Sequence, residues 1–333
     1  MSIIQKVLFS LLPLCGTLLI IVTLGSLIYN SSLWFLQVLN FPRLEVLIAL
    51  GLCLLVFLLI PKKWTITGLV FVTGLVVSIG IQACILFPYT PLAEKAVKSA
   101  LQVSVNKQSV FSIIVANVLI KNRHADELLT IIANKDPTFV LTMEVNDWWI
   151  KQLNVLKKSY PYSLRFPTDN AYGMALYSKI PLTNPQIKFL NHDRVPSFTM
   201  DITLPDSNRF KLCTIHPVAP APSKYPTNIG GKEMALLKEA RLIAHPSLPI
   251  VVAGDFNDVG WSHNTTQFAA ISGLNDVRYG RGMYNTFDAQ SLFMRWPLDY
   301  VFVSKQFKVL SVEQLPKFGS DHFPYYVQLT LQP

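Results

Sequence analysis

The chain of 333 residues is 51% hydrophobic and 15% charged, with a net charge of +9. That composition excludes a disordered or acidic protein and carries more apolar residues than an ordinary soluble domain needs. A disulfide framework is excluded too, because Cys15, Cys53 and Cys84 fall in apolar runs and only Cys213 remains elsewhere among the four cysteines. The excess hydrophobicity sits at the front. Val7–Tyr29 is an uncharged apolar run long enough to cross a hydrocarbon core of ~30 Å as a helix. Val46–Ile60 and Ile66–Phe87 follow, the first bounded by Glu45 and by Lys62 and Lys63. None of the three has the polar face of a soluble helix. The first run is too long for a cleaved signal peptide, and no small-x-small site follows it. Residues 1–92 are therefore expected to form an all-α transmembrane region embedded in a lipid bilayer. Its three spans are expected at about 7–29, 45–61 and 66–87. Lys6, Lys62 and Lys63 lie close to the spans on one side; Arg43, Lys95 and Lys98 lie on the other. The closer set points inward, which places the C-terminal domain outside the cytoplasm.

Pro88 and Pro91 stop the third helix, and residues 93–110 read as a polar connector. From residue 111 the pattern changes. Ser112–Leu119 and Thr138–Val145 are apolar runs of strand length, separated by Arg123–Asn134 at helical spacing. Asn146–Lys158 is a second predicted helix. Tyr172–Tyr177, Phe198–Leu204 and Arg209–Ile215 read as strands. Gly231–Ala244 reads as a helix, rich in Ala, Leu, Glu and Lys. Leu248–Ala253, Asp299–Val303, Lys308–Val312 and Tyr325–Leu329 are further strands. Strands and helices mix without strict alternation, which argues for a layered α/β domain with mixed sheets over residues 111–333.

Polar residues recur at the strand ends: Asn117, Glu144, His216, then Asp255 and Asn257, Asp299, and the pair Asp321-His322. Taken singly, Asn117 reads as a turn residue, Glu144 as a helix cap and Asp255-x-Asn257 as an Asx turn. Taken together, at the edges of strands that share a core, they point to metal-assisted hydrolysis. Asp255 and Asn257 are two apart, so at strand spacing both project into one space. Trp148-Trp149 reads as a stacking platform or, more simply, as helix packing. Arg278, Arg281 and Arg295 interleave with aromatics such as Trp296, a pattern suited to substrate phosphate. Arg281, Arg295 and Trp296 are the candidate substrate-binding residues. His124, His192, His245 and His263 have no evident sequence partner and read as surface residues.

The ordered set Ala116-Asn117-Val118, Met143-Glu144-Val145, the segment 172–179, Ile215-His216-Pro217, Gly254-Asp255-Phe256-Asn257, Leu298-Asp299-Tyr300 and Gly319-Ser320-Asp321-His322 resembles the endonuclease/exonuclease/phosphatase superfamily over about residues 111–330. Phe87–Leu92, Gly280-Arg281-Gly282, Tyr284–Phe287 and Arg295–Asp299 are similar to its bacterial membrane-anchored branch. The resemblance implies a deoxyribonuclease-like fold, a four-layer β-sandwich flanked by helices with the site at one end of the sheets. It implies localisation in the bacterial inner membrane, with Mg²⁺ as cofactor and Mn²⁺ as a substitute. Glu144 is implied as the main metal ligand, with Asn117 and Asp321 close by. Asp255 would orient and deprotonate water, and Asn257 would position it. His322, oriented by Asp299, would hold or protonate a phosphate oxygen, with His216 opposite. Leu119 stands where some members carry an acid, which puts a second metal in doubt; His216 stands where abasic-site enzymes carry Tyr.

The expected function is a membrane-anchored Mg²⁺-dependent phosphodiester hydrolase acting on nucleic acid. The alternative substrate is a lipid head group or phosphorylated small molecule, and a third reading is a non-catalytic membrane sensor or scaffold. The sequence shows no long basic stripe for a duplex and no clear apolar hairpin for lipid insertion, and no protein partner is expected.

Overall fold

The computed structural model describes residues 3–29, 33–60, 63–101, 105–219 and 234–332. Four N-terminal helices come first: α1 (Ile3–Gly25), α2 (Trp34–Val38), α3 (Arg43–Leu59) and α4 (Ile66–Leu86). α1, α3 and α4 pack on one another through Leu50, Cys53 and Leu75. Their outer faces stay apolar and bare: Leu14 is 67% exposed and Leu59 71%. The helix beginning at Ile66 is long and apolar enough to cross a membrane. α3 is shorter at 17 residues. At the end of the bundle nearest the following domain, the buried Arg43 guanidinium donates to Gln82 Oε1, Asn40 Oδ1 and the Ser26 carbonyl. Burying that charge is tolerable because each of these partners accepts a hydrogen bond from it.

The remainder forms two six-stranded mixed sheets. The first, ordered β11-β12-β1-β2-β4-β3, comprises β1 (Val110–Asn117), β2 (Phe139–Met143), β3 (Tyr162–Phe166), β4 (Met174–Ser178), β11 (Phe307–Gln314) and β12 (Tyr325–Leu331). The second, ordered β5-β6-β7-β8-β10-β9, comprises β5 (Leu182–Phe189), β6 (Pro196–Thr203), β7 (Arg209–Ile215), β8 (Ile250–Asp255), β9 (Asn275–Asp276) and β10 (Asp299–Val303). β1–β2 and β7–β8 are the parallel pairs; the other pairings are antiparallel.

Period-two alternation builds the layers. On β1, Phe111, Ile113 and Val115 face the interior between the sheets, while Ile114 and Ala116 face outward. Phe111, Phe139, Phe210 and Phe307 meet there, with Phe111 and Phe210 stacked at 4.6 Å. The outer face of the first sheet is covered by α5 (Ala125–Lys135) and α6 (Asp147–Gln152), which bury Leu128, Ile132 and Trp149. The outer face of the second is covered by α7 (Ala235–Leu242) and α8 (His263–Ser272) through Leu236, Ala240 and Phe268. The four-layer sandwich expected from the sequence is present.

The expected helix at 146–158 runs as α6 followed by a 3-10 turn over Leu153–Lys158. The first residues of the helix expected at 231–244 lie outside the described residues, as does Lys62. The strands β3, β5 and β9 and the helices α2 and α8 have no counterpart in the sequence reading.

The helical region docks on the domain. Trp261 Nε1 donates to the Asn40 carbonyl at 2.7 Å, and Tyr89 packs edge-on against Trp261 and Tyr279. Gly260 permits this approach, since a Cβ there would lie 2.3 Å from the Tyr89 hydroxyl.

Candidate active site

Parallel pairing of β1 with β2 and of β7 with β8 brings four strand ends to one edge of the sandwich. Asn117, Glu144, His216 and Asp255 stand there. The antiparallel β10 and β12 run the other way, so Asp299 at the start of β10 and Asp321-His322 before β12 reach the same edge. Asp255 and Asp299 are register partners on neighbouring strands. Gly254 makes the crowding possible: its φ is +154° and a Cβ would fall 1.9 Å from the Ile215 carbonyl oxygen. Glu144 itself adopts a left-handed backbone, φ +62°, as does Asn257 at +54°. Such conformations in non-glycine residues are retained where surrounding structure imposes them.

Asp255 is the hub and is fully buried. Its Oδ1 accepts from the Asn257 amide at 2.8 Å, and its Oδ2 accepts from Asn117 Nδ2 at 3.0 Å. The same Asn117 nitrogen donates to Glu144 Oε1 at 2.9 Å, while the Ile120 amide donates to Glu144 Oε2 at 3.3 Å. Asn117 Oδ1 accepts from the Leu119 amide. Asn117, expected beside the metal as a ligand, thus acts on both carboxylates through its donors. Asn257 Nδ2 donates to the Pro217 carbonyl at 2.9 Å, tying the β8 turn to the β7 turn.

His322 Nδ1 donates to Asp299 Oδ2 at 2.8 Å, which leaves Nε2 facing Asp255 Oδ2 at 3.6 Å. His216 Nε2 approaches that same oxygen at 3.8 Å from the other side. The two imidazoles titrate in opposite directions. Burial works against the His322 cation, but the Asp299 and Asp255 carboxylates outweigh it and hold its pKa at about 10. For His216 burial prevails over Asp255 and Glu144, and its pKa falls below the ordinary value. One cationic and one neutral ring therefore flank Asp255 at neutral pH.

Asp255, Asp299 and His322 offer three ligand atoms within 4.8 Å of one another. The hydrogen bond inside that trio, His322 Nδ1 to Asp299 Oδ2, already engages two of the three donors and speaks against a metal there. Glu144 and Asp321 fit a hard divalent cation better. Both line the cavity beside His322. Burial raises the pKa of each above its ordinary value despite the neighbouring imidazoles, so their negative charge is under-compensated. Oxygen donors that leave room for bound water are what Mg²⁺ selects.

Glu144, Asn257, Asp321 and His322 form the polar floor of a cavity of about 460 Å³. Of the three candidate substrate contacts, Trp296 lines it. Arg295 stands beside it with Nε donating to the Ser291 carbonyl and its guanidinium over the Phe323 ring. Arg281 does not reach it: its guanidinium donates to the carbonyls of Val277 and Val97 and to Ser99 Oγ, clamping the connector. Arg278 is buried against Asp276 at 2.8 Å and stacks on Tyr300. Trp149 is buried under the sheet and Trp148 carries the Arg123 guanidinium, so the tryptophan pair is packing.

The family model of the Endonuclease/Exonuclease/phosphatase family matches residues 114–322, from β1 to His322. The chain belongs to this family. Its members hydrolyse phosphate esters with divalent metal ions. Solved structures share the fold: an endonuclease/exonuclease/phosphatase from Bacteroides vulgatus at 18% identity and TM-score 0.55, over 67% of this chain and 99% of that one. The human nocturnin catalytic domain, with bound sulfate anion, follows at 19% and 0.54, over 67% and 94%. D. rerio TDP2 complexed with single strand DNA product stands at 16% and 0.52, over 67% and 99%. No curated protein matches the sequence.

Three groups at the site carried no clear signal. Ser320 donates from Oγ to the Asn117 carbonyl at 2.8 Å and accepts from the His322 amide, locking the last turn to the first strand. Thr286 Oγ1 accepts from the Asp299 amide at 3.2 Å. Phe287 lies against the His322 ring at 5.0 Å. Only the Gly-Ser-Asp-His and Tyr-Asn-Thr-Phe segments around them stood out.

Proposed function

We propose that the chain is a membrane-anchored, Mg²⁺-dependent phosphodiester hydrolase, with Mn²⁺ as an alternative ion. The observation that carries this reading is the double donation of Asn117 to Glu144 and Asp255, which couples a cation-holding carboxylate on the cavity wall to a buried candidate base beside it. A cation held by Glu144 and Asp321 supplies charge neutralisation and Lewis acidity at the phosphate. Asp255 accepts a proton from the attacking water, held in orientation by Asn117 and the Asn257 amide. His322 donates from Nε2 to a phosphate oxygen, and Asp299 keeps its ring aligned. His216 enters neutral and offers Nε2 as a hydrogen-bond donor across from it. Charge growing on the phosphate is thereby met by groups that are already oriented.

Anchorage in a membrane is supported by the Ile66 helix and by the bare apolar faces of the bundle; the outward placement of the domain in a bacterial inner membrane rests on the flanking Lys6, Lys62 and Lys63 and on the resemblance. The +9 charge suits a phosphate-bearing substrate of either class, nucleic acid or lipid. The filled polar set gives no support to a non-catalytic scaffold.

The test uses the full chain in detergent, with bis(p-nitrophenyl) phosphate and single-stranded DNA as probes. Turnover should need Mg²⁺ and stop with chelator. Asp255→Asn and His322→Ala should each lower kcat by roughly 10² to 10⁴-fold. Undiminished turnover in both variants overturns the reading.

A further inference from the structure

We propose that the N-terminal helical region completes the substrate cavity, and that the cavity takes a phosphodiester bearing an aliphatic chain drawn from the bilayer. This rests on the hydrolase reading and names the substrate class for that site. One wall of the cavity comes from outside the catalytic domain: Val38, Leu39, Phe41 and Pro42, from the end of α2 to the start of α3. Opposite them stand Met294, Trp296 and Leu298 of the loop before β10. Phe41 and Trp296 close the space edge to face at 5.5 Å. The floor is ionic and hydrogen-bonding, the walls apolar. A phosphate on that floor between Glu144 and His322 leaves the walls for a substituent without hydrogen-bonding groups. A nucleoside substituent would desolvate sugar hydroxyls and base edges against Leu39 and Phe41, where no polar side chain among the described residues lines that wall.

The continuity of the wall with the helices gives the source of that chain. Val38–Pro42 joins α2 directly to α3, one of the apolar helices of the bundle. The wall is held in place, since Trp261 donates to the Asn40 carbonyl and Arg43 is buried under the same turn. Beside the cavity, the loop before β10 carries Leu292 and Phe293 at its tip, 79% and 85% exposed, next to Met294 in the wall. Two large apolar side chains bare at the tip of one loop mark a surface made for lipid rather than water. This is the apolar hairpin that the sequence alone did not disclose.

The experiment compares p-nitrophenyl methyl phosphate with p-nitrophenyl octyl phosphate on the full chain in nanodiscs with Mg²⁺. Each methylene taken out of water is worth about fourfold, so three seated methylenes favour the octyl ester by roughly 60-fold in kcat/KM. Phe41→Ser and, separately, Leu39→Ser should lower the octyl-to-methyl ratio at least tenfold. The ratio is independent of how much of each variant folds, and partitioning into the disc is common to all. Equal cleavage of both esters by the parent chain overturns the inference and leaves the hydrolase reading standing, as does a ratio unmoved in both variants. Cleavage of single-stranded DNA with neither ester turned over replaces lipid by nucleic acid. No cleavage of any probe overturns the hydrolase reading and the inference with it.

Discussion

Asp255 and Asp299 face each other as direct partners across the β8–β10 pair, and His322 closes the triangle, bonded to Asp299 and 3.6 Å from Asp255. Two carboxylates side by side in a buried place repel each other, and the imidazolium between them makes the pair tolerable. Asp299→Asn should therefore do more than misalign a ring. It should release His322 from its raised pKa and lower kcat by roughly 10²-fold or more, while KM changes less. An NMR titration of the His322 ring checks the first half; a ring still titrating near 10 in the variant contradicts it.

Removal of the bridging amide should cost stability as well as rate. Asn117→Ala strips a donor from both Glu144 and Asp255, and each buried acceptor left unpaired costs about 1–3 kcal/mol. A lowered midpoint of thermal unfolding, with the deficit narrowing in Mg²⁺, is the expected result.

Added Mg²⁺ should raise the thermal midpoint of the parent chain. Saturation at a hundredfold above Kd corresponds to roughly 2.7 kcal/mol. Glu144→Gln should abolish most of that rise and Arg281→Ala should leave it intact, since Arg281 clamps the connector. Differential scanning fluorimetry reads both without any turnover.

Asp258 gives the pH dependence a sign. Burial raises its pKa from 3.8 to about 6, with Ser262, Asn264 and the Val259 amide opposing the shift. A folded pKa above the unfolded one means the native chain holds the proton longer. The associated stability is full below pH 3.8 and is lost as the pH climbs through about 6. That loss amounts to about 3 kcal/mol at most. Asp258→Asn, which cannot titrate, should unfold with a flatter pH profile between 4 and 7 than the parent.

Gly254→Ala should be severe. The new methyl meets the Ile215 carbonyl oxygen at 1.9 Å between two parallel strands that carry His216 and Asp255, and neither backbone has room to give. A loss of about 3 kcal/mol or more is expected, read by denaturant unfolding.

The legibility of this chain follows burial. β10 is read at its true bounds because Tyr300–Val303 is an unbroken apolar run, and β7 because Phe210 and Leu212 face one core and Cys213 and Ile215 another. β3 and β5 lie at sheet edges, and in β5 the exposed Asn184 and Gln186 and the half-buried Lys188 blur the alternation. α8 is written in Thr, Asn and Ser, poor helix formers, and its one signal was Ser262 accepting from the Thr265 amide as a cap. The site was legible where a polar residue breaks an apolar strand, as at Glu144 or Asp255. It was not legible for Arg281, whose charge suited phosphate but whose partners are the Val277 carbonyl and, in the connector, the Val97 carbonyl and the Ser99 hydroxyl, nor for Phe41, whose role depends on the distant Trp296.

The bond from Trp261 to Asn40 has a practical corollary. A version trimmed of its leading helices would keep every acid and imidazole of the site yet lose the apolar wall that Val38, Leu39, Phe41 and Pro42 supply. Screening such a trimmed version against a compound library would pass over any ester that needs that wall for its affinity.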